Sequence, residues 1–264
     1  MAEHLQAAFD KPGRSPGNRS LERGIEILRA FRPGTEVLGN AELAERTGLS
    51  RSTVTRLTQT LVGAGMLQQI AGSRTYRLAP AVLSLAHAMR SGCSELLVAA
   101  PIMREVAEGN RINVGLAAPD RDEMVYLESI RYAHRVALRK VVSGQRVPME
   151  LTSLGRAYLA VAPAARRRIL LSHFQSRRGA QWPALAREIE RAIAQVAANG
   201  YCGESWQPEV VAFATPLQFS TMPLVLNVST STSESLQSME RELAPILLQT
   251  VARIDAELRR SPDR

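Results

Sequence analysis

Apolar residues in the first third of the chain recur with the period of a helix. In LERGIEILRAF, Leu21, Ile25 and Leu28 predict one buried stripe, with Ser20 as the cap and Pro33-Gly34 as the stop. In NAELAERTGLSRSTVTRLTQTLVGA, residues 40–64, Leu43 and Ala44 form the inner side of a second helix. Gly48 follows where a sharp turn needs φ > 0. Ser50 is placed to cap a third helix, in which Val54, Leu57 and Leu61 form the inner stripe. Gly63 and Gly65 close it. At about 100° per residue, the opposite side carries Ser52, Thr55, Arg56 and Gln59. Hydroxyls, an amide and a guanidinium without an acid suit phosphate and base-edge contacts in a DNA major groove. A solvated face on an ordinary helical hairpin has the same pattern.

Met66–Ile70 and Thr75–Leu78 then read as two strands around the turn Ala71-Gly72-Ser73-Arg74. Three helices and a hairpin predict a winged helix-turn-helix, with Ser73 and Arg74 at the wing tip. Pro80 opens a further helix, AVLSLAHAMRS, ending at Gly92. Its apolar side is Val82-Leu83, Leu85-Ala86 and Met89, the pattern of a dimerising connector, and its lone His87 reads as structural. Beyond Ser94 the pattern mixes periods of 3.6 and 2. Helices are predicted over 95–109, 152–161, 163–177, 183–198 and about 233–258. Strands are predicted over 113–117, 123–129, 135–141 (Val136, Leu138 and Lys140 on one face), 201–205, 210–217 and 223–229. Residues 119–122 read as a turn and Gly144 to Glu150 as a loop. This mixture predicts an α/β or α+β domain. The expected organisation is an arm over 1–19, a DNA-binding domain over 20–79, a linker helix over 80–93 and a second domain over 94–260.

The charge is uneven. Net charge is +8, of which +5 lies in residues 1–94, so positive charge per residue is about three times higher there. That fits a polyanion partner for the N-terminal part. Almost every cation is Arg, Lys standing only at 11 and 140. With abundant Ala this suggests a GC-rich bacterial genome. The two cysteines, Cys93 and Cys202, have no paired spacing, which argues against a disulfide framework or a zinc knuckle and for a reducing cytoplasm. The N-terminus lacks the apolar core of a signal peptide, and no run approaches the roughly 18 apolar residues of a membrane span.

No catalytic constellation stands out. The glycine fingerprints of nucleotide sites are missing, Ser153-Leu154-Gly155 lacks a nucleophile elbow, and histidines 4, 87, 134 and 173 are scattered. The basic run Arg166-Arg167-Arg168 reads as a solvated face. Two stretches can build a small-molecule pocket. Thr152 is a cap candidate at a helix start, whose free N–H groups attract a carboxylate. Asn227 and Ser229 alternate to one side of a strand end. Both stretches can equally be caps and turns satisfying their own backbone.

The order of segments resembles the IclR family of bacterial transcription regulators over residues 20–258. The stretches that carry it are SLERGIEILRAF (20–31), AELAERTGLSRSTVTRLTQTLVGAGML (41–67), YRLAPAVLSLA (76–86), GQRVPMELTSLGRAYLA (144–160), ANGYCGES (198–205) and VLNVST (225–230). The resemblance implies an N-terminal winged helix-turn-helix, a linker helix and a C-terminal GAF-like effector domain. It implies a cytoplasmic homodimer or homotetramer acting as repressor, activator or both, without cofactor, metal or catalytic residues. Its partners would be a near-palindromic double-stranded operator and a small organic or aromatic acid. The DNA contacts expected are Ser52, Thr53, Thr55, Arg56 and Gln59 with Arg51, Arg74 and Arg77. The family's pocket maps onto Leu151, Thr152, Ser153, Leu154, Glu204, Ala212, Asn227 and Ser229. Leu151 stands where the family has Cys or a small polar residue, Ala212 where Ser or Cys is frequent, and the connection 217–223 is short. These departures imply a more apolar pocket, suited to an aromatic or larger ligand. The rivals are an enzyme carrying a helix-turn-helix and a DNA-binding protein whose second domain only oligomerises.

Overall fold

A computed structural model describes residues 17–132 and 142–260, so the strand expected over 135–141, His134 and residues 1–16 of the expected arm lie outside the described residues. The described residues form two compact units that separate between Gly92 and Cys93.

The first unit opens with α1 (Arg19–Arg29), capped by Asn18, whose side chain accepts from Ser20 N and Leu21 N, and not by Ser20. The expected inner stripe is also corrected. Leu21 and Ile25 are exposed, whereas Gly24, Ile27, Ala30 and Phe31 are buried. Ile27 and Phe31 stand four apart, one turn on the same side, while at about 100° per residue Ile25 lies about 160° and Leu21 about 120° round the helix from Ile27. A two-residue strand β1 (Leu38–Gly39), absent from the sequence reading, leads into α2 (Asn40–Thr47). Gly48 turns the chain with φ 68°, and Ser50 accepts from Thr53 N to cap α3 (Arg51–Gly63). Val54, Leu57 and Thr58 of α3 are buried and Leu61 is partly buried. Gly65 donates to Val62 and Met66 to Leu61, and Gly65, at φ 70°, takes the left-handed conformation that ends many helices. β2 (Leu67–Gln69) and β3 (Thr75–Leu78) form the wing, and β1 pairs with β3. α4 (Ala81–Ser91) follows. None of its residues is buried, with Leu83, Leu85 and Met89 all exposed. His87 is exposed on it, 3.3 Å from Ser91 Oγ.

The second unit is a six-stranded antiparallel sheet between two helical layers. Its strands are β4 (Asn113–Asp120), β5 (Glu123–Ile130), β6 (Arg146–Pro148), β7 (Cys202–Gln207), β8 (Val210–Pro216) and β9 (Val225–Ser231), in the order β6-β5-β4-β9-β8-β7. β6 lies in what reads as a loop: three residues carry no period, and pairing with β5 makes them a strand. One face packs on α5 (Ser94–Asn110) and α9 (Leu236–Arg260) through Leu116, Phe213, Leu226 and Val228. The other packs on α6 (Ser153–Val161), α7 (Ala164–Arg178) and α8 (Trp182–Asn199) through Met124, Cys202, Ala214 and Val225. Arg166 and Arg167 are not merely solvated. Arg166 donates to the Tyr158 hydroxyl and the Arg121 carbonyl, and Arg167 reaches the carbonyls of Leu159 and Ala160 at the end of α6. Arg167 thereby satisfies carbonyls that a helix end leaves open.

The β8–β9 connection is held by two buried carboxylates. Glu95 accepts from Thr221 N, Thr221 Oγ1 and Ser220 Oγ, and Asp255 accepts from Gln218 N and Phe219 N. Burial raises the Glu95 carboxyl, but those donors outweigh it and hold it at about 2. At Asp255 burial wins over the two backbone donors, and its pKa is raised.

Candidate functional site

Two places carry chemistry, one in each unit. The first is the outer side of α3. Arg51, Ser52, Thr55, Arg56 and Gln59 are exposed on it, and its first turn holds no acid. Among the described residues no hydrogen bond or ion pair engages the side chains of Arg51, Arg56 or Gln59. The hydroxyls differ. Thr53 is half-buried, with its N–H and hydroxyl on Ser50 Oγ, so it belongs to the cap. Ser52 Oγ lies 3.1 Å from Ser50 Oγ. Thr55 donates to the Arg51 carbonyl and accepts from Asn40. At the wing tip Gly72 has φ 75°, and the Ser73 hydroxyl is tied to Ile70 O and Thr75 Oγ1, so it closes the turn. Arg74 is exposed beside it, and Arg77 donates to Gln68 Oε1 at 3.1 Å.

The second place is one face of the large sheet, which the register builds. Glu204, Ala212, Ser229 and Asn113 lie opposite one another across β7, β8, β9 and β4, and Ala214, Asn227 and Gly115 form the adjacent rung. Residues directly opposite in a ladder share a face. A cavity of about 770 Å³ opens there, lined by Ala212, Asn227 and Ser229 together with Gly115, Tyr126 and Trp206, and edged by Arg131, Gln145 and Arg146. Gly115 is required, because a Cβ there would collide with Tyr126 Cε1 and Asn227 Oδ1. Burial pushes the Tyr126 phenol up to about 12, against the hydrogen bond from Asn227 and the charge of Arg131. It therefore remains a protonated donor and acceptor at neutral pH. Arg146 is held by Asp120 and, at 2.7 Å, by Glu123.

The other expected pocket residues sit on the same side but do not line this cavity. Thr152 does cap α6, accepting from Gly155 N at 3.2 Å and donating to Pro148 O. Ser153 and Leu154 are buried, Leu151 half-buried, and the Ser153 carbonyl faces the Cys202 thiol. Burial pushes that thiol up to about 12. Glu204 is paired with Arg156, a buried arginine that also binds Glu188 at 2.8 Å and the Glu150 carbonyl at 3.0 Å. The helix start offered for a carboxylate is thus occupied by its own cap. Tyr126, Gly115 and Trp206 were missed by sequence reasoning, whereas Arg156 closes the first of the two stretches offered for a pocket. The parity of Asn113 and Gly115 within the strand was the one available signal.

Among the described residues, no cluster of His, Cys, Asp and Glu is arranged to hold a metal ion, and no helix is long and apolar enough to cross a membrane. The family model of the IclR helix-turn-helix domain matches residues 20–71, and that of the bacterial transcriptional regulator IclR C-terminal domain matches residues 95–256. The HTH-type transcriptional regulator TsaQ1/TsaQ2 of Comamonas testosteroni is 32% identical over 248 residues, covering 91% of this chain and 88% of its own length. An IclR family transcriptional regulator from Brucella abortus has a crystal structure that superposes with a TM-score of 0.81 at 32% identity, covering 95% of this chain and 97% of that one. The fold is shared at 22% identity (TM-score 0.70, 92% and 100% coverage) by an IclR homologue from Microbacterium hydrocarbonoxydans, solved with 4-hydroxybenzoate.

Proposed function

The chain belongs to the IclR family of DNA-binding transcriptional regulators, and we propose that it reads its operator with α3 and answers to an aromatic acid held on the large sheet. The observation that carries the DNA assignment is the exposed, acid-free face of α3, with Arg56 and Gln59 unengaged among the described residues. Arg56, Gln59, Ser52 and Thr55 meet base edges, while Arg51, Arg74 and Arg77 approach phosphates. Thr53 keeps the cap. The exposed apolar residues of α4, Leu83, Leu85 and Met89, support a homodimer, which would bind half-sites about a helical turn or a multiple apart. A cytoplasmic setting follows from the DNA target.

Replacing Arg56 by Ala is expected to weaken binding to the selected operator about 10- to 100-fold, the range of one guanidinium–base contact, with thermal melting unchanged. Mobility shift at fixed salt measures it, because phosphate contacts make affinity strongly salt-dependent. Equal affinity of variant and parent would remove α3 from the reading role.

The effector reading rests on the cavity. An apolar wall with Tyr126 and Trp206, polar Asn227 and Ser229, and Arg131 in the lining suit an aromatic carboxylate. The 4-hydroxybenzoate held by the same fold in the Microbacterium protein agrees with that. Ala212, Asn227 and Ser229 contact the ligand, whereas Leu151, Thr152, Ser153, Leu154 and Glu204 build the frame behind them. The ligand shifts the population of DNA-competent conformers. We expect benzoate or 4-hydroxybenzoate to raise the melting temperature of the full chain and to change its operator affinity. Stabilisation by glyoxylate alone would contradict the aromatic class. Stabilisation without any change in DNA affinity would leave the second domain an assembly module.

A further inference from the structure

We propose that Thr55 reads the 5-methyl group of a thymine, and that Asn40 sets this preference by occupying the Thr55 hydroxyl. The proposal rests on α3 being the helix that meets the bases. Thr55 is exposed at the middle of that face, one residue before Arg56. A threonine offers two different groups to a base: a hydroxyl, which has one proton and two lone pairs, and a methyl. The Thr55 proton goes to the Arg51 carbonyl at 2.9 Å. A lone pair of the same oxygen accepts from Asn40 Nδ2 at 3.2 Å. Asn40 is the first residue of α2, fifteen positions away in sequence. Its other amide atom, Oδ1, faces the Thr58 hydroxyl at 3.5 Å. Thr58 is fully buried and donates to Val54 O at 2.9 Å. The Thr58 proton is thus spent within α3, and the Asn40 amide engages the Thr55 hydroxyl alone, which together with the Arg51 carbonyl holds the Thr55 rotamer. With the oxygen held back against the helix and against Asn40, the group left to present outward is Cγ2.

Thymine is the base with a methyl group in the major groove, and a threonine methyl is an established kind of partner for it. The neighbouring hydroxyls are held differently. Thr60 uses its proton on Arg56 O, and Ser52 shares a hydrogen bond with Ser50, but neither contacts an amide from another helix. The remaining lone pair of Thr55 is the competing possibility. It would accept an amino proton from adenine or cytosine, and the experiment separates the two.

The full-length protein first selects a duplex from a randomised pool. Binding is then measured to that duplex and to copies in which deoxyuridine replaces one thymine at a time, which removes only the methyl. Thr55→Val keeps a methyl and loses the hydroxyl; Thr55→Ser does the reverse. The parent should lose about fourfold at one thymine of each half-site, the factor that burial of one methyl-sized group supplies. Thr55→Val should bind within about twofold of the parent and keep that sensitivity. Thr55→Ser should lose about fourfold on the thymine duplex and become indifferent to deoxyuridine. Loss of binding in Thr55→Val with retention in Thr55→Ser would overturn the proposal in favour of the hydroxyl. Absence of any deoxyuridine effect on the parent would overturn it as well. Neither result touches the assignment of α3, which falls separately if Arg56→Ala leaves the selected sequence and its affinity unaltered.

Discussion

Gly155→Ala should destabilise the C-terminal unit by about 3 kcal/mol, the upper end of overpacking penalties. Gly155 is the third residue of α6, and a Cβ built on it overlaps the Cα and carbonyl group of Met149. The obstacle is backbone, so no rotamer change relieves it. Met149 is itself fully buried, next to the Glu150 whose carboxylate is bound by Arg177 and Arg178. To admit the methyl, α6 must move off the segment that follows β6, and the Thr152 cap on Gly155 N moves with it. Gly109→Ala is the matched control. It lies in α5 of the same unit with open space around it, and should be stabilising by about 0.4–1 kcal/mol. Urea unfolding of both full-length variants checks the pair. A Gly155→Ala midpoint equal to that of the parent would show that α6 and Met149 do not approach this closely.

Arg156→Met should cost about 3 kcal/mol or more, because it removes the cation from a buried ion network and leaves its acids behind. The Arg156 side chain is 5% exposed and divides its three nitrogens among Glu150 O, Glu204 and Glu188. Methionine replaces the volume but none of the donors. Glu188 is 43% exposed and rehydrates easily; Glu204, at 23%, does so less, and the Glu150 carbonyl is left without this donor. Arg156→Lys should recover only part of the loss, since one ammonium does not reach three acceptors set in a fork. Adding Glu204→Met to Arg156→Met should restore stability in a double-mutant cycle, because the uncompensated charge is then gone. Equal stability of Arg156→Met and the double variant would place the cost in packing and not in the stranded carboxylate. The same geometry explains why Glu204, an expected pocket residue, does not line the cavity: its carboxylate is drawn toward α6 by Arg156.

The amino-acid sequence by itself determined the local devices and the element order. Gly48, Ser50 and Thr152 take the turn and cap positions expected of them, since those interactions close within four residues and depend on little else. Period alone was enough to place α3 and its outward residues, because Val54 and Leu57 leave only one way round for the helix. Only the tertiary structure decided which apolar stripe is buried, which polar groups are already used and where the cavity lies. Leu21 and Ile25 have helical spacing yet face outward, because burial depends on what a helix packs against and not on its own period. Thr55 and Asn40 are fifteen residues apart, and Arg156 and Glu204 forty-eight, so their pairing was set by how α2 meets α3 and α6 meets β7. Ala212, Asn227, Gly115 and Tyr126 come from four strands, and the sheet register, a long-range property, turned them into one surface.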